Sequence, residues 1–190
     1  MLEQQNTLTY EGVLEMFRQT DRQFQETDRK IQEVAEQLKR TQKEIGKLGG
    51  RIGDIVVSMV KGDIVDKFQD LGFNVQECTP RKPFRNKELG FRGEIDLFLD
   101  KGDVDILIEV KTTLETADVR RHIERLEKYR RYVDAKGGND KRRFIGAVAG
   151  SVVSDEVANF AQQCGFYVIV QSGRAVEIVT PPKEFSAKEW

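Results

Sequence analysis

The sequence predicts an α/β fold in which a mixed sheet is flanked by helices and preceded by a long N-terminal helix. Three observations carry this reading. A seven-residue apolar repeat begins at Tyr10. Two stretches of period-two alternation, within residues 93–111, meet across a short Gly-containing turn. Beyond them, helical and strand-like apolar runs alternate to Val179.

The repeat comes first in the chain, after a polar start over residues 1–9. Tyr10, Phe17, Phe24, Ile31, Leu38, Ile45, Ile52 and Met59 form one series. Val13, Thr20, Thr27, Val34, Thr41, Leu48 and Ile55 form a second, three residues on. These are a and d positions of a heptad. One helix cannot bury such a stripe against itself. Residues 1–50 are therefore expected to be a coiled-coil oligomerisation helix, most simply in a homodimer or a higher assembly. The other reading is a lone helix packed back on the globular part. Gly46, Gly49, Gly50 and Gly53 each cost a helix roughly 1 kcal/mol relative to alanine. They mark a weak point or hinge near the domain boundary, or else a close helix–helix contact.

Residues 52–71 read as helix with a broad apolar face, stopped at Gly72. Phe73–Cys78 reads as a first strand, and 79–90 as a basic loop broken by Pro80 and Pro83. The hairpin follows. Ile95, Leu97 and Leu99 oppose Glu94, Asp96 and Phe98 on the first arm. On the second arm Val104, Ile106, Ile108 and Val110 share one face, and Asp105, Leu107, Glu109 and Lys111 the other. A two-residue Lys101-Gly102 loop would pair Asp100 with Asp103 and set Glu94 opposite Glu109, with Asp96 diagonal and Lys111 one step along. Like charges so placed repel. The same face suits a divalent cation with a lysine beside it.

A helix from about Ala117 to Ala135 is next, with basic faces and an end at Gly137-Gly138-Asn139. His122, the single histidine, reads as a surface residue of this helix. A small-residue strand covers Phe144–Ala149, and Ser154 caps a helix over 155–164. Strands follow at Phe166–Val170 and Ala175–Val179. Pro181-Pro182 stops the sheet, and residues 183–190 form a loosely held C-terminal tail.

Gly93-Glu94-Ile95-Asp96, followed by Ile108-Glu109-Val110-Lys111, resembles the motif of the PD-(D/E)XK nuclease superfamily, the restriction-endonuclease-like fold. The resemblance covers roughly Ile52 to Thr180, so the domain is set at 51–182. It looks closest to a prokaryotic group that joins an N-terminal coiled coil to such a domain. Ile95 stands where the motif's proline would be, a variable position in the superfamily. The resemblance implies Asp96, Glu109 and the Val110 carbonyl as ligands of Mg²⁺ (or Mn²⁺), and Asp96, Glu109 and Lys111 as the catalytic set. Lys111 would orient the attacking water or stabilise the transition state. Relatives often carry a further glutamate in the first helix. Here residues 57–61 hold none, and Glu94, Asp54 or Asp63 are the candidates for an additional acid.

Charge sets limits on partners. The net charge is −1; the first 50 residues carry 8 basic and 9 acidic side chains and the remainder 23 of each. No global field attracts a polyanion, so DNA would have to be held by local patches. Candidates are Arg81, Lys82, Arg85, Arg92, Arg120 and Arg121, with a solvated helix face as the plainer reading of the last two. Cys78 and Cys164 form no CxxC and read as reduced thiols. With no membrane-length apolar run and no leader-like N-terminus, a cytoplasmic protein is expected.

Three functions follow. One is a Mg²⁺-dependent nuclease hydrolysing DNA phosphodiester bonds, oligomerised by its coil. Another is a catalytically inactive nuclease-fold binding or scaffold protein that self-associates through the coil. The third is a coiled-coil adaptor capped by its globular end.

Overall fold

The computed structural model describes residues 9–88, 90–100, 102, 104–136, 142–173 and 175–190. The elements are α1 (Tyr10–Asp70), β1 (Glu77–Asn86), β2 (Phe91–Asp100), β3 (Val104–Thr113), α2 (Thr116–Ala135), β4 (Arg143–Val152), α3 (Asp155–Gln163), β5 (Tyr167–Ser172) and β6 (Ala175–Ile178). The chain divides into two compact units, Met1–Gly49 and Gly50–Trp190.

The first unit is the N-terminal part of α1. Its heptad side chains are solvent-facing in the single chain: Phe17, Phe24, Ile31 and Val34 are each 60% exposed or more. Two of the three threonines in the second heptad series are satisfied within the helix. The Thr20 and Thr27 hydroxyls donate to Met16 O and Gln23 O at 2.8 and 2.7 Å, one turn back along the same helix. The glycine group stays helical. Nothing stands within 4 Å of a Cβ built at Gly46, Gly49, Gly50 or Gly53, so no described residue of this chain uses the missing side chains for close packing.

The second unit is an α/β sandwich around a six-stranded mixed sheet of order β1-β2-β3-β4-β5-β6. The pairs β1–β2, β2–β3 and β5–β6 are antiparallel, while β3–β4 and β4–β5 are parallel. Val56, Val60, Ile64 and Phe68 of α1 pack on one face against Leu97, Leu99, Ile106, Ile108 and Ala147. Val119, Leu126, Tyr129 and Val133 of α2, with Ala161 of α3, cover the other against Phe98, Leu107, Phe144 and Val148. The predicted face assignment of β3 holds: its even-numbered residues meet α1 and Leu107 meets α2.

Several expectations are corrected. The segment read as a basic loop is strand β1, and residues 73–76, read as strand, are irregular. Proline can sit in a sheet when it lies on an edge, where no ladder donor is required. Pro80 and Pro83 do so on β1, opposite Leu97 and Glu94. The β2–β3 register is also shifted by two residues. Leu99 pairs with Ile106 and Leu97 with Ile108, rather than Asp100 with Asp103. Asp100 instead partners Glu77 of β1, and its carbonyl takes the Gln76 N–H at 3.0 Å. A Cβ at Gly102 would strike the Asn74 carbonyl, so only glycine lets the chain pass there. Lys101 and Asp103 of the expected turn, the 137–139 helix end and residues 1–8 lie outside the described residues.

Alternation on β2 breaks at one place. Ile95 packs on the α2 face while Leu97 and Leu99 pack on the α1 face, against the expectation of one shared face. Asp96, between Ile95 and Leu97, is the β2 residue without a partner on β1, and Arg81 is the β1 residue skipped opposite it. Arg81 carries φ 50°, the left-handed region that costs a non-glycine residue about 1 kcal/mol or more. Both strands therefore turn over together at Arg81 and Asp96.

Two further corrections concern packing. His122 is fully buried, not a surface residue. The tail is docked rather than loose. The Trp190 ring packs on Phe166 at a tilt with centroids 5.3 Å apart, and the Trp190 backbone N–H donates to Phe144 O at 2.9 Å; Glu189 bridges Ile145 and pairs with Arg143 at 3.0 Å. The parallel β4–β5 ladder starts only at Ala147, which leaves the Ile145 edge for this last segment.

Candidate active site

Backbone pairing between β2 and β3 stops at Leu97–Ile108. Continuing that register sets Asp96 against Glu109. Instead of a backbone rung, the Asp96 Oδ2 accepts the Val110 N–H at 2.8 Å. A carboxylate thus replaces the strand carbonyl and the two strands part. In a β-strand the N–H and C=O of one residue point the same way, so the Val110 carbonyl also faces β2. The other Asp96 oxygen takes no hydrogen bond from a described residue.

The space so opened is a cleft of ≈ 460 Å³ that brings Glu94, Asp96, Glu109 and Lys111 together under α2. Arg121, Arg125 and Lys128, four and three residues apart on one face of α2, form its basic wall, with Arg92 on the sheet side. Glu109 is 2% exposed. A carboxylate that deep must be matched by charge and hydrogen bonds. Its Oε1 meets Lys111 Nζ at 2.6 Å and its Oε2 meets the Arg125 guanidinium. Glu109 and Lys111 thus form a salt bridge on one strand face. Arg125 and Lys128 belong to the basic helix noted in the sequence; their helical spacing from Arg121 is the signal that places them with it.

His122 lies behind this pair. Its Nε2–H donates to Leu107 O at 3.0 Å, and its Nδ1 is 4.0 Å from Glu109 Oε2 without a hydrogen-bond partner. Burial drives its pKa down to about 4, opposed by the Leu107 hydrogen bond and the Asp96 carboxylate. The Lys111 ammonium adds to the lowering. The imidazole is neutral at pH 7.

The other sequence candidates are scattered. Asp54 is ion-paired with Arg81, and neither it nor Asp63 lines the cleft. Lys82 sits 3.2 Å from the Phe98 ring centroid and 4.0 Å from Asp100; burial lowers its pKa, opposed by that carboxylate. Arg120 stacks over Phe160, and Arg121 reaches Asp118 as well as the cleft. Arg85 lines an adjoining groove together with Arg92.

Among the described residues, no three His, Cys, Asp or Glu side chains form a ready metal cluster. The donor set nevertheless has the chemistry Mg²⁺ accepts: two carboxylates and one backbone carbonyl, with water for the remaining positions. The burial of Cys78 pushes its thiol up to about 11 and Cys164 is also free, so neither thiol offers a ready thiolate. No helix of the described chain is long and apolar enough to cross a membrane. Comparison of the chain with family models, curated proteins and solved structures finds no match.

Proposed function

We propose that this chain is a divalent-metal-dependent nuclease of the restriction-endonuclease-like type, acting on DNA phosphodiester bonds and self-associating through the coiled-coil helix of residues 1–50. The observation that supports it most is the Asp96 carboxylate on the Val110 N–H. It draws Asp96, the Val110 carbonyl, Glu109 and Lys111 to one end of the strand pair. The element order also supports it: a helix, three antiparallel strands, a basic helix and a parallel strand in a mixed sheet covered on both faces.

In this reading Asp96, Glu109 and the Val110 carbonyl hold the ion, and Glu94 tunes the site. Bound Mg²⁺ would lower the pKa of a water and neutralise charge on the phosphate. Lys111 orients that water or stabilises the oxygen on which negative charge builds. Arg121, Arg125 and Lys128 meet the flanking phosphates without reading bases. The Arg125 guanidinium on Glu109 Oε2 would have to be displaced for Glu109 to hold an ion, and would then be free to meet a phosphate. The exposed heptad stripe supports self-association through the coil, which would bring two sites into one assembly.

The second reading is a nuclease-fold binding protein without turnover. Both Glu109 oxygens being held by cations favours it. A cleavage assay with plasmid and single-stranded DNA in Mg²⁺ or Mn²⁺ separates the two. Wild type should cut, and Asp96→Ala and Lys111→Ala should each lose on the order of 100-fold or more. Absence of cutting by every form under broad conditions removes the enzyme reading. For the coil, sedimentation of a chain beginning at Gly50 should give a smaller assembly than the full chain; an unchanged size rejects coil-driven association.

A further inference from the structure

A second concavity, of ≈ 670 Å³, continues the acidic cleft toward the β1 edge and shares Phe84, Arg92, Gly93 and Glu94 with it. Its remaining walls are Pro83, Arg85 and Tyr132. The aromatic side is preformed. Phe84 is 3% exposed and meets Tyr129 edge-on at 5.3 Å and Tyr132 at 5.7 Å. It lies across Gly93, where any Cβ would strike its ring. The absent side chain at Gly93 thus allows the ring into the floor shared by both hollows.

The lip carries a charge anomaly. Arg85 and Arg92 are direct partners across β1–β2, and both are exposed. Opposed like charges on an antiparallel pair are destabilising. Neither guanidinium has an ion-pair partner among the described residues, as with Arg51, Arg120 and Arg131, whereas Arg81, Arg121, Arg125, Arg130, Arg142 and Arg143 all have one. Two unmatched arginines beside a ring-lined hollow combine a phosphate-holding element with a stacking element. An intact duplex keeps its base faces stacked inside and offers only phosphates and base edges; an unpaired nucleotide offers both charge and a ring face.

We propose that this groove is a nucleotide subsite. It takes one unpaired base of the strand to be cut against Tyr132 and Pro83, with its neighbouring phosphates on Arg85 and Arg92. The proposal rests on the nuclease reading and adds a substrate class to it: single-stranded or locally splayed strands, in preference to intact duplex.

The test uses full-length Asp96→Ala, titrated in Mg²⁺ with a fluorescent single-stranded DNA and with a blunt duplex of the same sequence. Single strands should bind about tenfold or more tightly than duplex. Tyr132→Ala should weaken single-strand binding by about 5- to 150-fold and leave duplex binding unchanged. Tyr132→Phe, which keeps the ring and the fold, should bind as the parent does. Arg85→Ala and Arg92→Ala should each reduce the salt slope of log K by about one. Equal affinity for the two DNAs, or single-strand binding indifferent to Tyr132→Ala, overturns the subsite. Metal-dependent cutting by the wild type in that case preserves the nuclease reading. The reverse pattern, Tyr132-dependent single-strand binding with no cutting by wild type, keeps the subsite and removes the catalytic reading.

Discussion

The two ends of the β2–β3 strand pair share a backbone type and differ in almost everything else. Toward the turn, Leu97, Phe98 and Leu99 pair with Ile108, Leu107 and Ile106, and all six are fully buried. At the other end the ladder has stopped, and four carboxylates (Glu94, Asp96, Glu109 and Glu124) share a cleft with two lysines and three arginines. The difference teaches that a backbone ladder and a polar site compete for the same donors. Where the Asp96 side chain takes the Val110 N–H, the backbone of β2 cannot, and the strands separate by as much as the side chain needs. Apolar burial is concentrated at one end and charge at the other.

The sharpest way to break this division is to damage the closed end. Ile106→Ala empties a fully buried position and should cost about 2–5 kcal/mol in urea unfolding. Cutting, assayed well below the unfolding midpoint, should stay within a few-fold of wild type. A loss of activity as deep as that of Lys111→Ala would show that the two ends are not separable.

The next effect lies behind the open end. With His122 held at about 4, the native state binds fewer protons than the unfolded chain between about pH 4 and its ordinary 6.5. Stability from this residue is therefore complete above 6.5 and lost as pH falls toward 4, by roughly 3 kcal/mol over the whole window. Urea unfolding of wild type and His122→Gln should converge on acidification. A stability difference that stays constant from about pH 7 to 4.5 would show that the imidazole titrates as in water.

The smallest effect isolates the Asp96 hydrogen bond. Asp96→Ala orphans the Val110 N–H and should cost about 1–2 kcal/mol. Asp96→Asn keeps an acceptor oxygen and should be close to neutral in stability, yet lose cutting as the alanine variant does. If both variants melt with wild type, the carboxylate is not what parts the strands.

Much of this was legible in the residues. The helix–strand order and the two faces of β3 follow from period-two and helical spacing. So does the placement of Glu109 and Lys111 on one side, since residues two apart on a strand share a face. What was misread has a common cause. Pro80 and Pro83 argued for a loop because sequence alone does not show that β1 is an edge. His122 looked exposed because it stands among charged neighbours, yet its helical phase with Val119, Leu126 and Tyr129 turns it to the core. Trp190 looked free because its partners, Phe144 of β4 and Phe166 just before β5, lie far from it in the chain.

By itself the sequence determined the periodicities: which stretches curl, which extend, and which side chains share a face. It also determined the charge at each position, and hence that carboxylates and one lysine would crowd a strand pair. Only the tertiary structure decided the register shift, the shared kink at Arg81 and Asp96, and the arrival of Arg125 on Glu109. Local spacing depends on the geometry of neighbouring bonds, and a single chain segment carries it. Register and ion pairing depend on which distant segments compete for one donor or one buried charge, and that competition exists only after they have met.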